Sequence, residues 1–328
     1  MEQPRWVDAA TVRRTLSPDR ARRLIRRELA DGLDPAGDPA RMVAEVGDHG
    51  GQLLVMPSTT RRSAGVKVLS VAPGNPARGL DRIQAVYVLL DADTLTPSAI
   101  IDGAAVTALR TPAVSAVAMD ALAPAEVEAA VIFGSGPQAL GHAEALLAIR
   151  HTSSVTVVGR RGDAARSTAQ RISGLASTHR VRTRGLTVDD PDVEAAVREA
   201  QVVVTATSAA TPVLGHDWVT DGACVVAIGS HEPHRRELDS ALLGRSLVIV
   251  EDLGTAHREA GDVILAAAQG ALDWSDVRTL SDLVLGRVER ATDRPNVFKS
   301  VGMAWQDLVI AQHLARPPHS SERVATVE

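Results

Sequence analysis

Aromatic residues make up only 2% of this 328-residue chain: four Trp, two Phe and one Tyr. Reading bases by stacking needs a platform of such rings, so their scarcity argues against nucleic-acid binding. The formal net charge of −5 supplies no basic field to hold a phosphate backbone or an anionic membrane. A single cysteine, Cys224, excludes an internal disulfide, and its place inside the apolar run "ACVVAIG" reads as a small buried hydrophobe. No apolar run approaches the roughly 20 residues that span a bilayer. The N-terminus lacks a signal-peptide apolar core and carries acidic residues through its helical stretch, which predicts a reducing, cytoplasmic setting. Lysine is nearly missing as well: of 35 basic residues only Lys67 and Lys299 are lysines. A chain so biased toward arginine keeps a lysine where a compact, titratable ammonium is wanted and a planar fork does not fit. Both are therefore candidate functional residues.

What is present is apolar material for two cores, 45% of the chain, drawn from Ala, Val, Leu and Ile. The first third combines a basic amphipathic helix over residues 18–31, a Gly/Asp/Pro-rich break at "DGLDPAGDPAR" and three strand-like runs, "QLLVMP", "GVKVLSVA" and "AVYVLLDADT". From "PSAIIDGAAVTALRTPAVSAVAMDALA" the pattern reads as Ala-rich and helical, bounded by Pro124. Beyond residue 126, short Val/Ile runs alternate with helical stretches: "EAAVIFG", "SVTVVGR", "VRTRGL", "VVVTATS", "ACVVAIG" and "SLVIVED". Such alternation implies a parallel sheet covered on both faces. The tail "NVFKSVGMAWQDLVIAQHLAR" reads as one more helix. The expected class is α/β, with a strand-rich α+β unit over residues 1–125. A doubly wound domain of Rossmann type is expected over 126–295.

Within "VIFGSGPQALGH", Gly134, Gly136 and Ala139 form G-x-G-x-x-A between an apolar strand and a helix. In that context Gly134 permits a sharp turn, Gly136 lets the backbone approach a pyrophosphate, and Ala139 allows close helix–sheet packing. The helix N-terminus offers free N–H groups to the phosphates. After the second strand, where an enzyme specific for NAD usually places an acid, stand Gly159, Arg160 and Arg161. Arginine pairs with a 2′-phosphate that an acid would repel, so NADP(H) is the expected cofactor, with NAD(H) possible.

The ordered set "GVKVLSVAPGNPARG", "VLLDADTLTPSAIIDGAAVTALRTPAVSAVA", "VIFGSGPQALGH", "VVVTATSAATPVL" and "VFKSVGMAWQDLVIA" resembles the ornithine cyclodeaminase/mu-crystallin family along essentially the whole chain. The resemblance implies a substrate and dimerisation domain over residues 1–125, completed by the C-terminal helix in 296–328, with an NAD(P)-binding domain at 126–295 inserted between. Composition leaves no nucleic acid or membrane partner expected, and the resemblance implies a homodimer acting on a small amino or imino acid. It implies that Lys67 binds the substrate carboxylate with Arg41 and Arg110, and that Arg110 and Thr111 approach the cofactor phosphates. Ser135, Gly136, Gln138 and Ala139 then form the dinucleotide loop, and Thr205, Ala206, Thr207 and Ser208 line the nicotinamide side. Ser300, Val301 and Gly302 would close over the ring.

The stretch "GSHEPHRREL" departs from the family pattern. Cyclodeaminases resemble G-G-D-x-P-G-K-x-E-L here, with the aspartate as catalytic base; in this chain His231 stands in its place, while Gly229, Pro233, Glu237 and Leu238 keep the frame. Ketimine reductases of the mu-crystallin type also lack that aspartate. The expected activity is therefore reduction of a cyclic ketimine carboxylate of the 1-pyrroline-2-carboxylate or 1-piperideine-2-carboxylate type. His231, Glu259 and Asp262 are candidates for managing the proton and the iminium charge. An ornithine cyclodeaminase, a related amino-acid dehydrogenase and a non-enzymatic NADP(H)-holding protein stay open as alternatives. A metal site is not expected, because the H-E-P-H turn is broken by Pro233 and has no thiolates beside it. His142 reads as a helix-face residue.

Overall fold

A computed structural model describes residues 3–48, 50–61, 63–175 and 181–315. The chain begins with β1 (Arg5–Val7), α1 (Ala9–Thr15) and α2 (Pro18–Ala30). There follow β2 (Met42–Val46), β3 (Gly51–Thr59), β4 (Ser63–Val71), β5 (Ile83–Asp91), β6 (Pro97–Asp102) and α3 (Gly103–Leu122). The alternating region comprises β7 (Val127–Phe133), α4 (Pro137–Ile149), β8 (Thr152–Gly159), α5 (Gly162–Ser173), β9 (Arg182–Thr187), α6 (Asp192–Glu199) and β10 (Val202–Thr205). It continues through β11 (Cys224–Ala227), α7 (Ser240–Gly244), β12 (Leu247–Val250), α8 (Leu253–Glu259), α9 (Gly261–Ala268), β13 (Arg278–Thr279) and α10 (Leu280–Val284). The last elements are β14 (Asn296–Lys299) and α11 (Ala304–Leu314).

Two compact units result. One comprises residues 1–17, 38–107 and 304–328; the other comprises 18–37 and 108–303. In the first unit, six strands lie in the order β1-β6-β5-β4-β3-β2, antiparallel except for the β1–β6 pair. Strand β4 alternates buried and half-buried positions as period-2 geometry requires, and α11 packs across β3, β4 and β5 on the buried face. Met56, Lys67, Tyr87 and Ile101 stand in register across four strands of that face, all of them buried.

The second unit holds an eight-stranded parallel sheet, β13-β12-β14-β11-β10-β7-β8-β9. Its central strands are continuous apolar runs, as expected where both faces are covered. From β7 the chain winds outward to β9, then returns to place β10 on the other side of β7. The order therefore reverses between β7 and β10, and a crevice at the carboxyl ends of those strands is where doubly wound sheets hold ligands.

The structure differs from the sequence reading in three places. Residues 97–102 form strand β6 rather than the start of a helix. Residues 296–299 form β14, buried between β11 and β12, so only 304–314 of the tail is helical among the described residues. The boundaries differ as well: α2 and residues 108–125 group with the second unit. Asp120 on α3 explains much of this, because it accepts from Arg22 of α2 at 2.6 Å and from Arg150 after α4 at 2.7 Å. Residues 316–328 of the expected C-terminal segment lie outside the described residues.

His142 on α4 is wholly buried: Nδ1 donates to the Gln138 carbonyl at 2.8 Å, which leaves Nε2 to accept from Ser115 of α3 at 2.9 Å. Burial lowers its pKa from 6.5 to about 4. Between those values the unfolded chain binds a proton that the folded chain refuses, so stability falls as pH drops through the window, by about 3 kcal/mol in full. Urea unfolding at pH 7.5 and 4.5 will show a smaller difference for His142→Gln than for the unsubstituted protein; equal differences would remove His142 as the cause.

Candidate active site

The turn after β7 requires glycine at position 134 and leaves open space at position 136. Gly134 has φ +115°, and a Cβ there would lie 2.4 Å from the Ala206 carbonyl oxygen. Gly136 caps α4 without a side-chain partner, is exposed, and would put a Cβ into open space. That space faces the N-terminus of a 13-residue helix, with Pro137 in its first turn, where a missing N–H costs nothing. The Ser135 carbonyl accepts from Thr168 of α5 at 2.9 Å, Gln138 is half-buried, and Ala139 is fully buried. The cradle fits a dinucleotide pyrophosphate. At the end of β8, buried Gly159 is followed by exposed Arg160 and Arg161; Arg161 lies 3.9 Å from Asp163 in a pair too solvated to immobilise it.

Two buried carboxylates govern the segment 229–238 at the ends of β10 and β11. Glu237 accepts from the Thr205 hydroxyl at 3.0 Å, the Thr207 hydroxyl and amide at 2.7 Å, and the Gly229 amide at 2.6 Å. Burial raises its pKa, and Lys299 pulls against that rise. Asp262 at the start of α9 accepts the Glu237 and Leu238 amides at 2.7 and 2.9 Å through Oδ1, and its Oδ2 lies 2.9 Å from the Lys299 ammonium. Lys299 in turn donates to the Ser230 carbonyl at 2.6 Å. Asp262, expected as an acid or base, is thus committed to Lys299 and to the loop backbone, and we correct its assignment to loop support. The Thr205 and Thr207 hydroxyls and the Gly229 amide point at Glu237, leaving Ala206 and exposed Ser208 to present surface. His231 is half-buried on the same loop, and Glu259 is half-buried at the end of α8. Among the described residues, no group of three His, Cys, Asp or Glu side chains is placed to hold a metal ion.

Glu251, which the sequence did not single out, organises the next segment. Buried at the end of β12, it accepts from the Ser300 hydroxyl at 3.0 Å and from the Val301 and Gly302 amides at 2.8 and 2.9 Å. These donors face Glu251 rather than a ring. Gly302 has φ +76°, and a Cβ there would meet the Arg110 guanidinium at 2.4 Å, so buried Arg110 lies directly on it, with Thr111 buried beside it in sequence.

In the first unit, the Lys67 ammonium meets Asp307 of α11 at 2.7 Å and Thr107 at 3.2 Å. Asp38 accepts from the Ser58 hydroxyl and from the Trp305 amide, both at 2.6 Å; burial, with Asp307 adding repulsion, raises its pKa to about 6. The same surroundings hold the Tyr87 phenol un-ionised. Arg41 is half-buried just before β2. Asp38 and Asp307 escaped the sequence reading. Asp307 had a usable signal, since a buried lysine on a half-apolar strand needs a carboxylate.

A doubly wound parallel sheet with a glycine cradle at its reversal point, joined in one chain to a mixed-sheet unit with a buried lysine–aspartate pair, defines the class of dinucleotide-binding α/β proteins. The ornithine cyclodeaminase/mu-crystallin family model matches residues 21–317, and the chain belongs to that family. It is similar to Delta(1)-pyrroline-2-carboxylate reductase 2 of Burkholderia ambifaria, 36% identical over 82% of this chain and 81% of the relative. The Delta(1)-pyrroline-2-carboxylate/Delta(1)-piperideine-2-carboxylate reductase of Azospirillum brasilense shares the same identity and coverage. Among solved structures, Thermococcus litoralis Delta(1)-pyrroline-2-carboxylate reductase in complex with NADH and L-proline superposes with a TM-score of 0.87, at 27% identity, over 94% of this chain and 96% of that one.

Removing one member of a buried ion pair leaves the other uncompensated. Lys299→Met will lower the unfolding free energy by about 3–5 kcal/mol in urea titration. A loss below 1 kcal/mol would show that Asp262 is held by its two amides alone.

Proposed function

We propose that this chain is an NAD(P)H-dependent reductase of small cyclic ketimine carboxylates, of the 1-pyrroline-2-carboxylate and 1-piperideine-2-carboxylate type. The observation that carries the reading is the pairing, in one chain, of the dinucleotide cradle with a buried lysine in the first unit. The names of the bacterial relatives and the NADH and L-proline bound in the Thermococcus litoralis neighbour support it. A bound dihydronicotinamide supplies hydride to the imine carbon. Lys67 and Arg41, with Arg110, receive the carboxylate and so orient that carbon, which makes positioning the main contribution of the protein. Glu259 or His231 keeps the imine nitrogen protonated, the state in which the carbon accepts hydride. Histidine at 231 also favours reduction over cyclodeamination, because a carboxylate base is absent from that position.

For the cofactor, the reading extends to NADP(H) over NAD(H), with Arg160 and Arg161 as the groups that pair with a 2′-phosphate. We also read the chain as a homodimer: edge strand β2 exposes Met42, Val43 and Val46, apolar surface of the kind a second copy covers.

Steady-state assays test both levels. NADPH oxidation is expected with 1-pyrroline-2-carboxylate, without ammonia release from L-ornithine; the opposite pair of results would make the protein a cyclodeaminase. Arg160→Ala/Arg161→Ala will raise KM for NADPH by about tenfold or more and leave KM for NADH within about twofold. A preference of the unsubstituted enzyme for NADH would overturn the NADP(H) assignment. Sedimentation will read twice the 34.5 kDa chain mass, and a monomer would remove the dimer from the reading.

A further inference from the structure

Lys67 is the only charged group in its cross-strand row, between Met56 and Tyr87, and 1% of its surface is exposed. A strand fixes the Cα of a lysine but not its ammonium, which sits at the end of a flexible four-carbon stem. Here the ammonium is placed by Asp307, 240 residues later, at 2.7 Å, with the Thr107 hydroxyl as a second partner. Asp307 is itself held in place. The amide of Trp305, two residues earlier, donates to Asp38, and Asp38 is anchored on β3 by the Ser58 hydroxyl. A chain of short contacts therefore runs from Ser58 through Asp38 and the first turn of α11 to the Lys67 ammonium, and the family resemblance assigns none of its members except Lys67.

We propose that Asp307 is the positioning residue for Lys67, fixing the ammonium at the point where it receives the substrate carboxylate. The proposal rests on the reading of Lys67 as a carboxylate-binding group in a ketimine reductase. Asp307 acts through the lysine, so its contribution should vanish when the lysine is gone.

The chain holds only two lysines, which makes the test direct. With [15N]lysine labelling, Lys67→Ala assigns the Lys67 ammonium signal, and Asp307→Asn should shift or broaden that signal while leaving Lys299 unmoved. In steady state, Asp307→Asn should raise KM for 1-pyrroline-2-carboxylate by about tenfold or more, with the NADPH dissociation constant unchanged. Asp307→Glu should recover most of the loss. In the Lys67→Ala background, Asp307→Asn should add no more than about twofold. An unchanged KM in folded Asp307→Asn, or additive effects in the double variant, would overturn the proposal as a purely structural role does. Should Asp307→Asn fail to fold, the charge-free pair Lys67→Met/Asp307→Leu replaces it, since apolar isosteres of a buried pair are tolerated. This variant should bind NADPH and lose affinity for L-proline; retained L-proline binding would equally overturn the proposal. Absence of turnover in the unsubstituted enzyme is a different failure: it overturns the functional reading, and this proposal with it.

Discussion

An ammonium removed from water must be given a carboxylate, and in this protein that requirement is met twice. Lys67 is paired with Asp307 in the first unit and Lys299 with Asp262 in the second, with none of the four side chains more than 1% exposed. Desolvating such a pair costs about as much as the attraction returns, so neither is a cheap source of stability. What each provides is a fixed point joining elements that local interactions leave apart: strand β4 to helix α11, and strand β14 to helix α9. Once Asp262 is fixed, its free oxygen holds the amides of residues 237 and 238, and Glu237 gathers Thr205, Thr207 and Gly229. The loop bearing His231 is shaped by these two buried carboxylates.

Much of this was legible in sequence, and the reason is locality. The glycine turn is specified by residues within one strand–turn–helix, so G-x-G-x-x-A located it. The scarcity of lysine also pointed to two residues that the structure buries in ion pairs, Lys67 with Asp307 and Lys299 with Asp262. What escaped was non-local or too short to be periodic. Strand β14 has four buried residues and no polar alternation, so it merged with the helix after it. Strand β6, six residues ahead of an Ala-rich helix, was absorbed in the same way. Glu251 and Asp38 are recognisable only by what they touch, Asp307 only through the lysine it pairs, and the partners of the three lie 20 to 267 residues away.

The same carboxylates change what the predicted site residues offer. Ser300, Val301 and Gly302 stood out as a ring-covering segment, yet their donors are taken by Glu251. Their contribution is shape: a left-handed glycine on which the Arg110 guanidinium rests. Asp262 looked like a catalytic acid because it falls in a shared frame with Glu259, but its two oxygens are engaged by the loop amides and by Lys299. In a buried site, a carboxylate's burial alone does not distinguish catalyst from scaffold.

The placement of both lysines has a practical corollary for handling the protein. Since the chain carries no third lysine, the folded surface presents no side-chain amine. Lysine-directed supports and cross-linkers too large to enter a substrate site will find these two targets only after the protein opens, so the extent of their side-chain coupling becomes a measure of how much of a preparation is unfolded.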